Sequence, residues 1–541
     1  MDKQVQLLKD YSRPIVHMRH QFESKRFGLV FGAGISRSFQ LPGWGDFVKN
    51  IAADREVQGK NILERFTARD SLPFKTELLF QHFRKLQAKR GPATNIHSLE
   101  FDNRTFAKWI KICAKHLYKN APANFSATLK NHPYLSALLP IIQGTQLAIT
   151  YNFDDYLERA LMEGRPPDDK TLGYETVTNP RMQFKRFNSV VYHPNGVIPS
   201  ELMELPSDHF VLSESSFAKQ MVGPLAVDTS FLVNHFCKNT CLLIGSSLED
   251  ETLRNVLVQS AAANPGNCHY YIHFLSNSRM PPAADIEAIR MANFNVFNVI
   301  TLFLGDSSIA ALAKLINHQA VDDAALSDLA GRAGTDLAFR FYITGTLGAG
   351  KSSVTNQLRN LRVMDEWLEP RPSILAKSWR KLTPGEKKRT DKWIVRQFKL
   401  KNDNLRHAQA GIVVVDRPPL DPLVFTPSTE WHLKANLLLS QICEVNTWKV
   451  ANGTVILLEG EPNELAVRVL FTGQDGYSSE LLAEMQRNLD KIYAGIGVVH
   501  LNTRGMNIHE VTKRVTEIIH FRPYQTFDLD ARLRKLMNKR G

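Results

Sequence analysis

The chain has 541 residues, of which 43% are hydrophobic and 22% charged, and its formal net charge is +13. This length exceeds one ordinary hydrophobic core, and the balanced composition excludes a disordered or fibrous chain, so we expect about two or three globular domains. No apolar run approaches the roughly 20 residues that a membrane-spanning helix needs. Five scattered cysteines argue against a disulfide framework. We therefore expect a cytoplasmic protein without a membrane partner.

The first glycine-rich turn of the chain follows a strand-like segment, Gly28–Phe31. Gly32, Ala33 and Gly34 form a Gly-x-Gly turn, where the backbone can approach a ligand closely. Without a third spaced glycine this pattern is a weak signal for a dinucleotide, and a bare glycine turn is an equal alternative. Residues 60–130 then show helical periodicity.

Three further strand-like segments of the first half end in polar residues. The segment Leu147–Tyr151 precedes Asn152 and Asp154. In an open parallel α/β sheet, ligands bind at the carboxyl ends of the strands, which predicts a doubly wound nucleotide-binding domain. An Asx turn with a helix cap is the alternative for Asn152 and Asp154. The other two segments precede the turns His193-Pro-Asn195-Gly196 and Gly245-Ser246-Ser247.

The sequences GAGIS, TYNFDD, HPNG and GSSL resemble the signatures of the sirtuin (SIR2) superfamily, in the form found in bacterial anti-phage defence proteins, over roughly residues 20–310. The resemblance implies a Rossmann-like domain with a helical insertion that hydrolyses NAD+ to nicotinamide and ADP-ribose. The four-cysteine zinc module of the deacetylases is absent, which favours a hydrolase. By resemblance, Gly32, Ala33 and Gly34 contact the cofactor phosphates, Asn152 and Asp154 hold the nicotinamide ribose and amide, and Gly245, Ser246 and Ser247 contact the adenosine side.

The sequence departs from this family at the residue that activates water. The family's usual base is a histidine directly before a glycine, whereas here Asn195 precedes Gly196. His193 lies two residues earlier, and period-two alternation would put both side chains on one face of an extended segment. An asparagine takes up no proton near pH 7, whereas an unperturbed histidine does. Three alternatives stay open: His193 activates water, Asn195 positions water while the glycosidic bond ionises by itself, or the domain binds NAD+ without cleaving it.

The small, acidic stretch Val321–Asp336 marks the best domain boundary. We expect an NAD-binding domain at residues 1–320, a linker at 321–337 and a second domain at 338–541.

A phosphate-binding P-loop opens this second domain. The strand-like segment Phe341–Gly345 leads into GTLGAGKS, which fits G-x-x-x-x-G-K-[ST] at every fixed position. The glycines let backbone N–H groups turn towards a phosphate chain, Lys351 reaches the β- and γ-phosphates, and Ser352 can hold Mg²⁺. The predicted nucleotide-binding residues here are Gly345, Gly348, Gly350, Lys351, Ser352 and Ser353.

A second phosphate-site signal is the buried strand that begins at Gly411 and ends at Asp416 and Arg417. This pattern indicates a Walker-B-type site, in which Asp416 joins Ser352 in the Mg²⁺ shell and Arg417 faces phosphate. A turn residue or helix cap is the alternative for Asp416.

The order of P-loop, E-P-R, a helix with Gln397, D-R-x-x-L-D and LLEGEPNELAVR resembles deoxynucleoside and thymidylate kinases over about residues 338–525. The resemblance implies an acceptor-site role for Glu369, with Arg371 or Asp365 as alternatives, a nucleobase contact for Gln397, and phosphate-site roles for Asp416 and Arg417. The lid keeps Arg468 but lacks the further arginines usual there. We therefore expect binding of ATP or another nucleotide, and phosphoryl transfer stays open.

Two nucleotide chemistries on one chain predict a defence protein, in which nucleotide sensing by the second domain licenses NAD+ destruction by the first. The expected partners are small nucleotides, a phage-derived trigger and further copies of the chain in a homo-oligomer. The alternative is a (deoxy)nucleoside or nucleotide kinase with a regulatory NAD-binding domain. A nucleic-acid-binding scaffold would use the +13 charge, but no pattern of aromatic and basic residues supports nucleic acid as a partner.

Overall fold

A computed structural model describes residues 2–65, 71–90, 98–163, 174–178, 189–201, 210–216, 226–248, 250–275, 280–376, 382–443, 449–471 and 477–538. The chain forms two compact units, each built around one parallel sheet, so the predicted α/β fold is confirmed. The first unit comprises Met1–Leu7, Gln21–Ala263 and Cys268–Leu326, and the second comprises Leu8–His20, Asn264–Asn267 and Ser327–Gly541.

The sheet of the first unit has seven parallel strands in the order β3-β4-β2-β1-β5-β6-β7. Strand β1 therefore lies between β2 and β5, and the winding of the chain reverses beside it. The crevice outside the carboxyl ends of the strands at such a reversal is the usual ligand site of an open α/β sheet. The strands are β1 Phe27–Phe31, β2 Leu147–Thr150, β3 Tyr174–Val177, β4 Ser189–Tyr192, β5 Thr240–Ile244, β6 His269–Phe274 and β7 Val299–Leu304.

Two apolar clusters lie among the described residues of the first unit. Val30, Ile149 and Leu243 belong to the cluster on the sheet. Phe47, Leu79 and other apolar residues of the helical insertion between β1 and β2 form a second cluster, which Ile198 and Leu212 complete. The helices are α1 Lys3–Glu23, α2 Trp44–Ala52, α3 Lys60–Leu63, α4 Leu72–Arg90, α5 Leu99–Leu117, α6 Phe125–Lys130, α7 Pro133–Gly144, α8 Tyr156–Met162, α9 Ala226–Lys238, α10 Glu251–Ala263, α11 Ala283–Phe297 and α12 Asp306–Ile316, with a 3₁₀ helix at Ser36–Phe39.

The predicted linker contains the helix α13, Asp323–Ala333, and the boundary between the two units falls inside it. Leu326, Leu329 and Ala330 are buried. Their spacing of three and four residues gives this small-residue stretch one apolar helical face.

The second unit has five parallel strands in the order β12-β11-β8-β10-β9, so the strand that leads into the P-loop is central. The strands are β8 Ala338–Gly345, β9 Arg362–Met364, β10 Gly411–Asp416, β11 Thr454–Glu459 and β12 Val498–Asn502. The helices are α14 Lys351–Gln357, α15 Pro384–His407, α16 Trp431–Ile442, α17 Pro462–Phe471, α18 Ser479–Ile492, α19 Ile508–Phe521 and α20 Leu529–Asn538, with 3₁₀ helices at Ser373–Ala376, Asp421–Phe425 and Ser428–Glu430.

An N-terminal segment, Leu8–His20, belongs to the second unit although it lies far from it in sequence. Arg13 of this segment donates from Nη1 to Ile519 O at 2.7 Å and from Nη2 to Arg522 O at 2.6 Å. These bonds satisfy carbonyl groups at the C-terminal end of α19, which have no partner within the helix. None of the helices in the described ranges is both long and apolar enough to cross a membrane.

Candidate functional site

A cavity of about 930 Å³ lies at the carboxyl ends of β1, β2 and β5, where the first sheet reverses its winding. Small-molecule sites typically measure about 300–1,000 Å³, so the cavity can hold a ligand of dinucleotide size. The predicted residues that line it are Gly32, Ala33, Gly34, Asn152, Asp154, Asn195, Gly245, Ser246 and Ser247. The sheet order thus brings together turns that lie more than 200 positions apart in sequence.

The glycines allow the turns after β1 and β5 to touch. Gly34 N donates to Gly245 O at 2.8 Å, and a Cβ atom on Gly32 would lie 2.6 Å from the same oxygen. Gly245 also has a positive φ of 72°, which other residues rarely adopt. Close packing of two backbone turns is therefore one reason for glycine at these positions.

Asn152 is held in one orientation by its neighbours. Its Nδ2 donates to Gly32 O at 3.1 Å and to Ser36 Oγ at 2.9 Å. Because a backbone carbonyl only accepts, the amide nitrogen must occupy this side, and the oxygen Oδ1 occupies the other. Among the described residues Oδ1 makes no hydrogen bond. Asn152 therefore offers a fixed acceptor at the cavity wall.

Ser36 connects Asn152 with Asp154, a link that the sequence interpretation missed. Its Oγ donates to Asp154 Oδ2 at 2.8 Å, and Tyr156 N donates to Asp154 Oδ1 at 3.2 Å. Burial raises the pKa of Asp154 to about 6, against the opposing effect of these two bonds. Ser36 is the last residue of the GAGIS segment, so its place in that motif was the available signal.

Of His193 and Asn195, one lines the cavity and the other does not, although alternation led us to expect both side chains at the site. Asn195 lines the cavity, and its buried Oδ1 has no hydrogen-bond partner in the described part of the chain. His193 is fully buried and is not among the lining residues. The reason is a turn: Gly196 N donates to His193 O at 3.1 Å, and Gly196 has a φ of 86°. Alternation applies to extended strands and ends where this turn begins.

The P-loop of the second unit combines three glycines in left-handed backbone conformations with a buried lysine. Gly345, Gly348 and Gly350 all have positive φ values. Lys351 is buried, and its Nζ donates to Gly345 O at 2.9 Å and to Thr346 O at 2.7 Å. Burial, with a further contribution from the Arg417 charge, lowers the pKa of Lys351 to about 8.

Ser352 and Asp416 meet beside this loop. Ser352 Oγ donates to Asp416 Oδ2 at 3.0 Å, whereas Asp416 Oδ1 is buried with no hydrogen-bond partner in the described ranges. A hydroxyl and a carboxylate with a spare oxygen are suitable ligands for Mg²⁺. Ser353 is exposed on the same turn of α14.

Arg417 and Lys401 place two further cations at the end of β10. Arg417 Nε lies 2.7 Å from Glu366 Oε1, and its Nη1 lies 3.5 Å from Asp421 Oδ2. Lys401, which the sequence interpretation missed, donates to Asp416 O at 2.6 Å from a buried position in α15. Burial lowers the pKa of Lys401 to about 8.

Glu369 and Gln397 also meet, and each is engaged by protein groups. The buried Gln397 accepts from Leu368 N at 3.0 Å and from Glu369 N at 3.1 Å, and it donates to Glu369 Oε2 at 2.7 Å. Arg396 donates to Glu369 Oε1 at 2.6 Å. One amide hydrogen of Gln397 is therefore left for a ligand.

Arg468 lies on the exposed side of α17. Its Nη2 is 3.6 Å from Glu464 Oε2 on the preceding turn of the helix. The lid residues 472–476 lie outside the described residues.

Residues 146–296 match a SIR2-like domain. The matched range contains Asn152, Asp154 and Asn195, so the SIR2-like domain supplies much of the cavity wall and indicates NAD-related activity. The Gly32–Gly34 turn precedes the range. No curated protein matches the chain.

Two solved structures similar to the chain are deoxyadenosine kinases from M. mycoides. One, with the products dCMP and a flexible dCDP bound, is 14% identical, with 33% of this chain and 97% of that chain covered and a TM-score of 0.27. The other, with bound dATP, is 13% identical. The match covers 33% of this chain and 96% of that chain, with a TM-score of 0.27.

The cavity wall suits the polar groups of NAD+. Ser246 Oγ and Asn195 Oδ1 are buried there without hydrogen-bond partners in the described ranges. Together with Asn152 Oδ1 they offer acceptors to the hydroxyl and amide groups of a dinucleotide.

Proposed function

We propose that the SIR2-like unit hydrolyses NAD+ to nicotinamide and ADP-ribose, and that a nucleotide bound at the P-loop licenses this reaction. The observation that carries the proposal is the cavity at the sheet reversal, with Asn152 and Asn195 in its wall. In this role the protein acts in anti-phage defence, because loss of NAD+ stops an infected cell from supporting the phage.

The reaction exchanges one bond for another at the ribose. The C1′–N bond breaks, nicotinamide leaves with the bonding electrons, a water oxygen bonds to C1′, and a proton of that water passes to solvent. Asn152 Oδ1 accepts a hydrogen bond from the bound ribose or carboxamide. Asn195 holds the water but takes no proton, so the water adds after the glycosidic bond has ionised.

We propose a sensing role for the second unit, with Lys351 holding the nucleotide phosphates and Ser352 and Asp416 holding Mg²⁺. Mg²⁺ would neutralise phosphate charge there. The side chains of Gln397 and Glu369 already form hydrogen bonds with protein groups. These bonds support nucleotide binding over phosphoryl transfer, because an acceptor substrate needs the same two side chains. Neither nucleotide chemistry is a step in a pathway with the other, which supports a regulatory link. A phage-derived trigger and a homo-oligomer belong to this proposal.

The proposal is tested by incubating purified protein with NAD+ and Mg²⁺, alone and with a panel of nucleosides, nucleoside monophosphates and nucleoside triphosphates. We expect nicotinamide release that at least one nucleotide stimulates. The kinase alternative predicts phosphate transfer to a nucleoside that is indifferent to changes at Asn152. Absence of nicotinamide under every condition, including with lysate of infected cells, contradicts the cleavage proposal.

Substituting Asn195 with histidine is expected to raise nicotinamide release about 10- to 100-fold, since positioned general bases contribute rate factors of this order and more. The side chain at this position lines the cavity and has a free acceptor atom. The rate of the variant should fall as the pH drops through the histidine pKa, which initial rates across the pH range would reveal. Asn195→Gln, which adds length without a base, is the matched control and should give no increase.

A further inference from the structure

We infer that His193 is a positioning residue, which together with Glu158 fixes the peptide of Asn152 at the cavity wall. The inference rests on the proposed cleavage of NAD+, in which Asn152 binds the substrate. His193 is fully buried, its Nδ1 lies 3.0 Å from Asn152 O, and its Nε2 lies 2.7 Å from Glu158 Oε1. The imidazole therefore joins helix α8 to the first residues after β2.

The partners of the ring decide where its protons are. A backbone carbonyl only accepts, so Nδ1 carries a proton and donates it to Asn152 O. Nε2 faces a carboxylate oxygen, so a second proton must lie between His193 and Glu158. With both protons on the ring, His193 donates to both partners, and Thr176 Oγ1 adds a hydrogen bond to the same Glu158 oxygen at 3.1 Å.

The charged groups that act on His193 are Glu158 from α8 and Asp154 from the loop after β2, and both are acidic. Burial opposes the charge, but the Glu158 carboxylate and the bonds to both partners outweigh it and raise the pKa of His193 above its ordinary value. A raised histidine pKa means that the pair is intact at low pH and is lost as the pH rises through the folded-state pKa. Above that pH the ring keeps one proton, which the carboxylate of Glu158, as the stronger acceptor, draws to Nε2. The lone pair of Nδ1 then faces Asn152 O, and the Asn152 peptide loses its donor.

A general base at His193 would have the opposite pH dependence. A base works only when deprotonated, so its activity falls as the pH decreases. A loss of activity at high pH therefore indicates a positioning residue, and a loss of activity at low pH indicates a base. A purely structural role produces neither dependence.

The test compares the wild-type protein with Glu158→Gln and His193→Gln from about pH 6 to about pH 9, measuring nicotinamide release and, by calorimetry, NAD+ affinity. In the wild type we expect the rate to fall about tenfold per pH unit above the His193 pKa. In Glu158→Gln the amide can donate to Nε2 of a neutral imidazole whose Nδ1–H still reaches Asn152 O. This variant should stay within about threefold of wild type at neutral pH and lose the alkaline limb.

His193→Gln is expected to lose about a hundredfold in rate at every pH, because misplacement of a substrate-binding group by about 1 Å has effects of this size. Glu163→Gln, which removes an exposed charge just beyond α8, is the matched control and should keep the wild-type profile. Two results would overturn the inference while leaving NAD+ cleavage intact. One is a fall in rate at high pH that persists in Glu158→Gln, and the other is a fall in rate at low pH that the His193 substitution abolishes. If NAD+ binds but no condition gives cleavage, the proposed function fails. The role of His193 is then decided by whether NAD+ affinity falls as the pH rises above the His193 pKa. Absence of NAD+ binding overturns both.

Discussion

The Asn152→Ala protein is expected to release nicotinamide from NAD+ at least about a hundredfold more slowly than the wild type. Loss of one preorganised hydrogen-bonding group at a reacting centre typically reduces turnover by about 10²- to 10³-fold. Asn152 contributes such a group, since Gly32 O and Ser36 Oγ hold its amide nitrogen and leave Oδ1 at the cavity wall. Chromatographic quantification of nicotinamide under the stimulating nucleotide condition measures the effect.

Ser36→Ala provides the control for this variant. Asn152→Ala also removes the two bonds that tie the turns after β1 and β2 together. Ser36→Ala removes one of them, together with the bond from Ser36 to Asp154, while keeping Oδ1. We expect Ser36→Ala to stay within about tenfold of wild type, since it loses positioning only. Release by Asn152→Ala at the wild-type rate would show that the chemistry takes place elsewhere.

The strand ends of the first unit were predictable because the signal is local. A buried apolar run followed by glycine or asparagine marks the carboxyl end of a strand, as at Phe31–Gly32 and Thr150–Asn152. Parallel strands then bring these ends to one edge. Ligand-site residues separated widely in sequence could therefore be grouped before any contact was known.

The orientation of His193 was not predictable because a turn overrides alternation at that point. The donors and acceptors around its ring come from Asn152 and Glu158, and no pattern within residues 189–196 indicates either partner. The same holds for Lys401, which lies on α15 but donates to Asp416 O at the end of β10. Contacts of this kind depend on tertiary packing, which local periodicity does not specify.

The division of the chain was also only partly predictable. Composition predicts a domain boundary within Val321–Asp336, and this stays a prediction. The assignment of Leu8–His20 to the second unit depends on bonds such as those of Arg13 to the end of α19, across about 500 residues of sequence. Long-range pairings of this kind leave no trace in the sequence near either partner.

Lys351→Ala is expected to weaken nucleotide binding at the P-loop about a hundredfold and to abolish nucleotide stimulation of NAD+ cleavage. The ammonium group lies against the carbonyls of Gly345 and Thr346 in the loop that we propose holds the phosphates, and a charged donor binds phosphate more strongly than a neutral one. Its pKa, lowered to about 8 mainly by burial, adds a pH dependence: affinity for the nucleotide should weaken as the pH rises above that value. Calorimetric titration with the stimulating nucleotide and nicotinamide release in the same samples measure both effects.

Asn356→Ala is the matched control, because this exposed residue lies on the next turn of α14, outside the predicted nucleotide-binding residues, and the variant keeps the loop lysine. It should bind nucleotide and respond to it as the wild type does. NAD+ affinity of the Lys351→Ala protein, measured without nucleotide, reports whether the first unit is still folded and should be unchanged. If nucleotide binding is lost while stimulated NAD+ cleavage persists, the P-loop does not control the SIR2-like unit. If binding and stimulation are lost together with NAD+ affinity intact, the lysine acts on the reaction only through the nucleotide that it holds.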